Sequence, residues 1–322
     1  MCTAITFSGK DLFFGRTLDL ERTYGEEVVI SPRNFPLPFR ERPCLEHHYA
    51  IIGMAHVADG YPLYYDAVNE AGLCMAGLNF PGFAQYGKGT EGKDNITSFE
   101  FIPWVLGQCR STAEAENLLN RLQLTDIPFS PALPVSPLHW IIADRQKCIT
   151  VEAMAGGIRV HENPIGVLTN NPPFDHQMLQ LCNFMHLSPD PPRNSFAPHI
   201  DLDPYSRGMG AMGLPGDLSS QSRFVRAAFT KLNSLCPEDE SVSQFFHILG
   251  AVSQTQGCCR LEDGSCVVTQ YTSCCNASRG IYHYTTYGNR RICAVDLHRE
   301  DLDGKSLLRF PLVMGEDIRM LN

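Results

Sequence analysis

The segment CTAITFSGKDLFFGRTLDL, from Cys2 to Leu20, constrains this chain more than any other. Two runs of β-branched and aromatic residues flank Ser8-Gly9-Lys10, a tight-turn signal, so they read as a hairpin whose first strand starts at Cys2 itself. Strands continue downstream. AIIGMAHV (Ala50 to Val57) reads as a third, and LYYDAVNEAGLCMAGLNF (Leu63 to Phe80) as two more about the Asn69-Glu70-Ala71-Gly72 turn. Ser111 and Glu114 have capping-box spacing ahead of a segment with apolar positions at helical intervals. A hairpin over Leu138 to Met154 follows, then helices around Ser219 to Leu235 and Ser241 to Ser253, and closing strands from Thr269 to Leu297. Many antiparallel strands with separate blocks of helix predict an α+β fold of face-to-face sheets with helices outside.

One stretch resists that scheme. From His186 to Asp217 proline and glycine recur with no sustained period, and a long structureless run inside a compact domain is usually functional, an interface arm or disordered. Composition narrows the function. Acidic residues outnumber basic ones 35 to 26, so the chain lacks the basic field that draws nucleic acid or anionic membrane. Asp11, Arg16 and Asp19 interrupt the opening segment in a way that a secretory signal does not tolerate, and no transmembrane run follows. The expected location is the cytoplasm, where most of the 13 cysteines stay thiols. Cys258, Cys259, Cys266, Cys274 and Cys275 crowd one segment but lack C-x-x-C spacing and paired histidines, which argues against structural zinc or a redox protein; His47-His48 diverges in a strand.

A cysteine exposed as the first residue has its own chemistry. A free thiol titrates near ~8.5 and an α-amino group near ~7.7 to 8.0, so one residue supplies both a nucleophile and its base. The small Cys2 side chain suits removal of Met1. Arg16 would favour the thiolate and Asp19 would hold the amine. Their odd spacing sets them on opposite faces of a straight strand, so a bend or bulge near its end is expected if both are to reach Cys2. A papain-like protease would instead need an internal cysteine in a C-G-S-C-W-like segment, which is absent.

Five ordered segments carry a wider resemblance: MCT, FGRTLD (Phe14 to Asp19), NEAGLCMAGLNFPG (Asn69 to Gly82), LTNNPPFD (Leu168 to Asp175) and GLPGDLSSQSRFVR (Gly213 to Arg226). Over nearly its full length the chain resembles the choloylglycine hydrolases, the bile salt hydrolases and penicillin V acylases of the N-terminal-nucleophile superfamily. The resemblance implies one domain over residues 2–322, built as a four-layer αββα sandwich of two antiparallel sheets, with an irregular oligomerisation and substrate loop at about 186–217. It puts the nucleophile at Cys2 and assigns catalytic roles to Arg16, Asp19, Asn79, Asn170 and Arg223. Asn79 suits oxyanion donation, a contact worth roughly 3 to 4 kcal/mol of barrier. Asn171 rivals Asn170, which is preferred because the family's asparagine directly follows a threonine; Arg226 is the nearest competitor of Arg223.

Asn79 in N-F-P-G points to conjugated bile salts, because penicillin V acylases, the alternative, tend to carry tyrosine there. A rigid steroid calls for an apolar pocket, and the resemblance places Leu20, Tyr24, Ile127, Phe129 and Leu133 around it. It implies a homotetramer in which the irregular segment reaches a neighbour's site. Within that segment Ser206-Arg207-Gly208 matches an S-R-x version that goes with glycine conjugates, where Arg207 offers a planar fork to a carboxylate. No metal or organic cofactor is expected, and neither nucleic acid nor membrane is an expected partner.

Overall fold

The computed structural model describes residues 1–322, with the side chain of Glu238 left aside. Its strands are β1 (Cys2–Ser8), β2 (Leu12–Leu20), β3 (Glu27–Ser31), β4 (Ile51–Ala58), β5 (Tyr61–Asn69), β6 (Cys74–Asn79), β7 (Asp94–Thr97), β8 (Leu122–Thr125), β9 (Leu138–Ala143), β10 (Cys148–Met154), β11 (Gly157–Glu162), β12 (Val167–Leu168), β13 (Val268–Asn276), β14 (Ile281–Thr286), β15 (Cys293–Asp296) and β16 (Leu308–Pro311). The helices are α1 (Phe101–Gln108), α2 (Thr112–Leu119), α3 (Phe174–Gln180), α4 (Ser220–Asn233) and α5 (Ser241–Gly250).

Two antiparallel sheets stack. The first runs β12-β1-β2-β13-β14-β15 and the second β11-β10-β9-β6-β5-β4-β3-β16. Helices α4 and α5 cover the first sheet at β1, β2 and β13, while α1 covers the second at β4, β5 and β6. This is the expected αββα order. One core fills the space between the sheets and under α4 and α5, with Ile5, Phe14, Leu78, Phe224 and Phe245 among its members. A second lies beneath α1 and α2, around Trp104 and Trp140.

The layering explains what the residue pattern of the first hairpin meant. The hairpin pairs Cys2 with Leu18, Ala4 with Arg16 and Ser8 with Leu12, as its turn signal predicted. From Cys2 to Thr6 every residue of β1 is buried, because one face meets α4 and the other meets the second sheet. Both faces are therefore interior, and Arg16 and Asp19 are buried whichever way they point. Gly15 lets β13 approach, since a Cβ there would meet the Ser273 carbonyl oxygen at 2.1 Å. The Ser273 hydroxyl then accepts the Arg16 backbone N–H at 3.0 Å.

Some elements had no sequence signal. Helix α1 is buried on nearly every side, with seven of its residues in the interior, so it shows no apolar stripe against a polar face. Among the described residues no helix is long and apolar enough to cross a membrane, no group of three His, Cys, Asp or Glu is placed to hold a metal ion, and the cysteines are free thiols.

Candidate active site

Cys2 lies in the interior, 3% exposed, where β1 passes between α4 and the second sheet. Its backbone N–H donates to Asn170 Oδ1 at 2.8 Å. Arg223, on the first turn of α4, donates from Nη2 to that same Oδ1 at 2.8 Å and from Nη1 to the Cys2 carbonyl at 2.5 Å and to Thr3 Oγ1 at 2.6 Å. Ser219 caps α4 by accepting the Ser222 N–H, which fixes the turn that carries Arg223. Asn170 Nδ2 donates to the Asn79 carbonyl at 2.7 Å. Asn170 is itself anchored through its backbone, whose N–H donates to Ser220 Oγ and whose carbonyl accepts from Gln177 Nε2. Asn79 ends β6 half-buried, and its side-chain amide has no hydrogen-bond partner among the described residues.

Arg16 and Asp19 stand on opposite faces of β2. Arg16 points between the sheets, where Nη1 donates to the Tyr65 carbonyl at 3.2 Å and the Gly77 carbonyl at 2.5 Å. Tyr65 is the extra residue of a bulge in the β4–β5 pairing, and the β5–β6 ladder ends at Asp66 and Ala76, so both carbonyls are released to accept. Asp19 points toward the helices. Its carboxylate accepts from Thr269 Oγ1 at 2.7 Å and Thr17 Oγ1 at 3.1 Å, while its backbone N–H donates to the Met1 carbonyl at 2.9 Å. The Met1 amine donates to the Asp19 carbonyl.

The expected bulge exists, but in a different strand. Thr269 opposes Asp19 and Tyr271 opposes Leu18, so Gln270 is the surplus residue, in β13. The shift turns Thr269 to the Asp19 face and Tyr271 to the Arg16 face. No bend in β2 is required, because the two groups act on the two faces of the strand: Arg16 lies in the electrostatic reach of the Cys2 side chain, and Asp19 in that of the Met1 amine.

The electrostatics follow from burial. Burial alone would lower the Arg16 pKa, but the neighbouring Cys2 sulfur, Tyr271, Asp66 and Asp19 outweigh it and hold the guanidinium firmly charged. Burial raises the Asp19 carboxyl above its ordinary range, against opposing pulls from Arg223, the chain amine, Thr269 and Thr17. Burial likewise lowers Arg223, with Asp19 and Cys2 opposing. Beneath Arg16 lies a carboxylate that sequence reasoning passed over. Asp66 accepts from the hydroxyls of Tyr271 and Tyr282, each at 2.6 Å, and of Ser273 at 3.0 Å; burial raises its pKa while Arg16 and these donors pull it down. Thr3, Thr269 and Asp66 carry no linear signal, since their partners lie on another strand, on α4 or on the facing sheet, and Thr17 gains its meaning only once Asp19 is buried beside it.

The rivals are placed elsewhere. Asn171 donates to the Pro81 carbonyl, and Arg226 donates to the carbonyls of Ala251, Pro215 and Asp217. Of the expected pocket residues, Leu20 ends β2, partly buried, and Tyr24 lies in the following loop with the Arg22 guanidinium 4.8 Å over its ring. Tyr24 also interacts with Tyr65, itself a neighbour of Arg16. Ile127, Phe129 and Leu133 lie between β8 and β9, half-buried. Phe129 packs on Tyr61 and Phe99 at the margin of the second core, and Leu133 folds back on Ser130. Ser206 and Arg207 are exposed, and the Ser206 hydrogen bonds stay within residues 206–209. The structure does not bring them to Cys2.

A sandwich of this kind is the fold of the N-terminal-nucleophile hydrolases. The pattern of the linear amide C–N hydrolases, choloylglycine hydrolase family, matches residues 2–310, and with full-length relatives well above 30% identity the chain belongs to that family. It is similar to the bile salt hydrolase/transferase of Lactiplantibacillus plantarum, at 54% identity over 97% of both chains, and to that of Clostridium perfringens, at 38% over 95% of both. The solved conjugated bile acid hydrolase of Clostridium perfringens superposes with a TM-score of 0.93 at 35% identity, covering all of both chains. The penicillin V acylase of Agrobacterium tumefaciens, at 19% identity and a TM-score of 0.76 over 96% of this chain and 90% of its own, shares the fold.

Proposed function

We propose that the chain hydrolyses the amide bond of glycine- or taurine-conjugated bile acids through Cys2. The observation that carries this reading is the shared acceptor Asn170 Oδ1, which ties the Cys2 nitrogen and Arg223 to one point, with Asn79 bonded to the same side chain. Relatives named as acting on bile salts support the substrate class, as does Asn79 in N-F-P-G.

Removal of Met1 turns the Cys2 nitrogen into an amine and frees the Asp19 backbone N–H and carbonyl that Met1 now occupies. The amine takes the thiol proton, and the sulfur attacks the amide carbon. Asn79 Nδ2 donates to the oxygen that becomes negative. As the C–N bond breaks, the ammonium returns its proton to the leaving nitrogen, releasing glycine or taurine and leaving a thioester on Cys2. Water then adds to the thioester, its proton passes to the amine, and the thiolate leaves as free bile acid departs. Arg16 keeps the sulfur side positive, Asn170 and Asp19 hold the amine, and no step calls for a cofactor.

The arm at 186–217 fits a homotetramer. Phe196 is 91% exposed and Tyr205 83%, side chains that a second copy would cover. A reducing cytoplasm suits the free thiols. The reading is tested by intact mass and by assays on glycocholate, taurocholate and penicillin V. A chain starting at Cys2 that cleaves the bile salts at least tenfold faster supports it; faster cleavage of penicillin V would move the chain to the acylase branch.

A further inference from the structure

Behind the two asparagines, outside the residues the chemistry uses, lies a fully buried histidine and glutamate. His139 of β9 sits opposite Leu78 of β6, one residue before Asn79, and Glu152 comes from β10. Both are 0% exposed. His139 Nε2 meets the Thr169 carbonyl at 2.9 Å, and Nδ1 meets Glu152 Oε1 at 3.1 Å. The ring stacks on Phe80 with centroids 4.3 Å apart and planes 5° from parallel. Glu152 Oε1 also accepts the Phe174 N–H at 3.0 Å, at the start of α3, while Oε2 lies 3.6 Å from His161 Nε2.

Thr169 precedes Asn170 and Phe80 follows Asn79. One imidazole therefore touches both segments that deliver the amide groups. A carbonyl oxygen only accepts, so Nε2 carries a proton, and the Nδ1–Oε1 contact is a hydrogen bond only while a second proton lies between those atoms. Glu152 thus fixes the ring's orientation, in the way that a carboxylate behind a working imidazole does elsewhere. Burying these groups without such pairing would be costly, and a paired set so close to a reaction centre rigidifies what it touches.

We propose that His139, oriented by Glu152, is a positioning residue that sets the separation of the Asn79 and Asn170 loops for acyl transfer. The proposal rests on the catalytic reading of those two asparagines. Its decisive element is the Nε2 bond to Thr169. A glutamine reaches that position with its own N–H, whereas an asparagine reaches Glu152 but not Thr169, and both lose the same stacking on Phe80.

The test compares His139→Gln with His139→Asn in the full chain, using kcat and KM for glycocholate and the rate of Cys2 alkylation by iodoacetamide. Misplacing a reacting group by about 1 Å costs on the order of 100-fold in rate. The asparagine variant is expected to lose at least ~10-fold in kcat with KM within about threefold, and to alkylate at least ~3-fold more slowly, because Asn170 holds the Cys2 nitrogen. The glutamine variant should stay within about threefold of the parent on both counts. Equal behaviour of the two variants, or a loss confined to KM, overturns the proposal. If the asparagine variant does not fold, Phe80→Leu replaces it: kcat should fall at constant KM, and an unchanged kcat overturns the bridging role. A parent that cleaves no bile salt would sink the proposed function instead, and the alkylation rates alone would then decide the case of His139.

Discussion

The cluster around Cys2 and the arm at 186–217 satisfy their polar groups in opposite ways. Around Cys2, groups from β1, β2, β6, α4 and the turn before α3 converge, and a single atom, Asn170 Oδ1, accepts from two of them. In the arm the bonds are local: Asn194 Nδ2 donates to the carbonyls of Ala197 and Ile200, and the Ser188 N–H donates to the Gly210 carbonyl. Gly210 is held so closely that a Cβ would meet the Asp190 carbonyl oxygen at 1.9 Å, yet Phe196 and Tyr205 face outward. Burial forces a unique set of partners on the first region. The second satisfies its backbone locally and leaves Phe196 and Tyr205 exposed.

The contrast predicts steep losses in the cluster and shallow ones in the arm. The steepest is Cys2→Ser, which should lower kcat by roughly 10⁴-fold or more with an unchanged fold by circular dichroism, since a hydroxyl stays protonated where a thiol ionises. Substantial residual turnover by that variant would remove Cys2 from the chemistry. Next comes Thr269→Val, which strips the 2.7 Å donor from Asp19. A buried acceptor left short costs about 1 to 3 kcal/mol. Denaturant melts should show that loss, together with a kcat reduced about tenfold; wild-type behaviour in both would detach the β13 bulge from the site.

Asp66→Asn reverses the usual sign. Burial raises the folded Asp66 pKa above its unfolded value, so the unfolded chain ionises first and the parent loses stability as pH rises from about 3.9 toward that folded pKa. An amide avoids this, and Tyr271, Tyr282 and Ser273 can turn their hydroxyls to suit it. The variant should therefore melt higher than the parent at pH 7, with a gain that disappears as the pH falls below about 4; a lower Tm at pH 7 would show that the ionised carboxylate stabilises Arg16 more than its burial costs. Smallest is the arm. Ser206→Gly/Arg207→Thr should shift the glycocholate to taurocholate kcat/KM ratio toward taurocholate by about fivefold at most, on the order of 1 kcal/mol for solvated charge pairs. An unchanged ratio would remove Arg207 from substrate recognition.

How much of this the sequence held can be judged from particular residues. The hairpin from Cys2 was legible because Ser8-Gly9-Lys10 is a local signal, and α2 because Ser111 and Glu114 have the spacing of the cap that forms there. The opposite facing of Arg16 and Asp19 followed from strand geometry. What could not be read was the solution to it, since the bulge at Gln270 lies some 250 residues along the chain from Asp19 and shows only when β2 and β13 pair. His139, Glu152 and Asp66 were hidden for a related reason: a buried polar residue in a strand looks like any other until its cross-sheet partners are known. Arg207 is legible only by resemblance, because its exposed side chain meets nothing near Cys2.

The account turns on Cys2 becoming the first residue and carrying the acyl group. The direct measurement is acid-quenched mass spectrometry of the enzyme mixed with excess glycocholate. The account predicts a protein lacking Met1, with a fraction heavier by one cholyl group, and the label on the peptide that begins at Cys2. Turnover by a chain that retains Met1, or a label on any other residue, would contradict it.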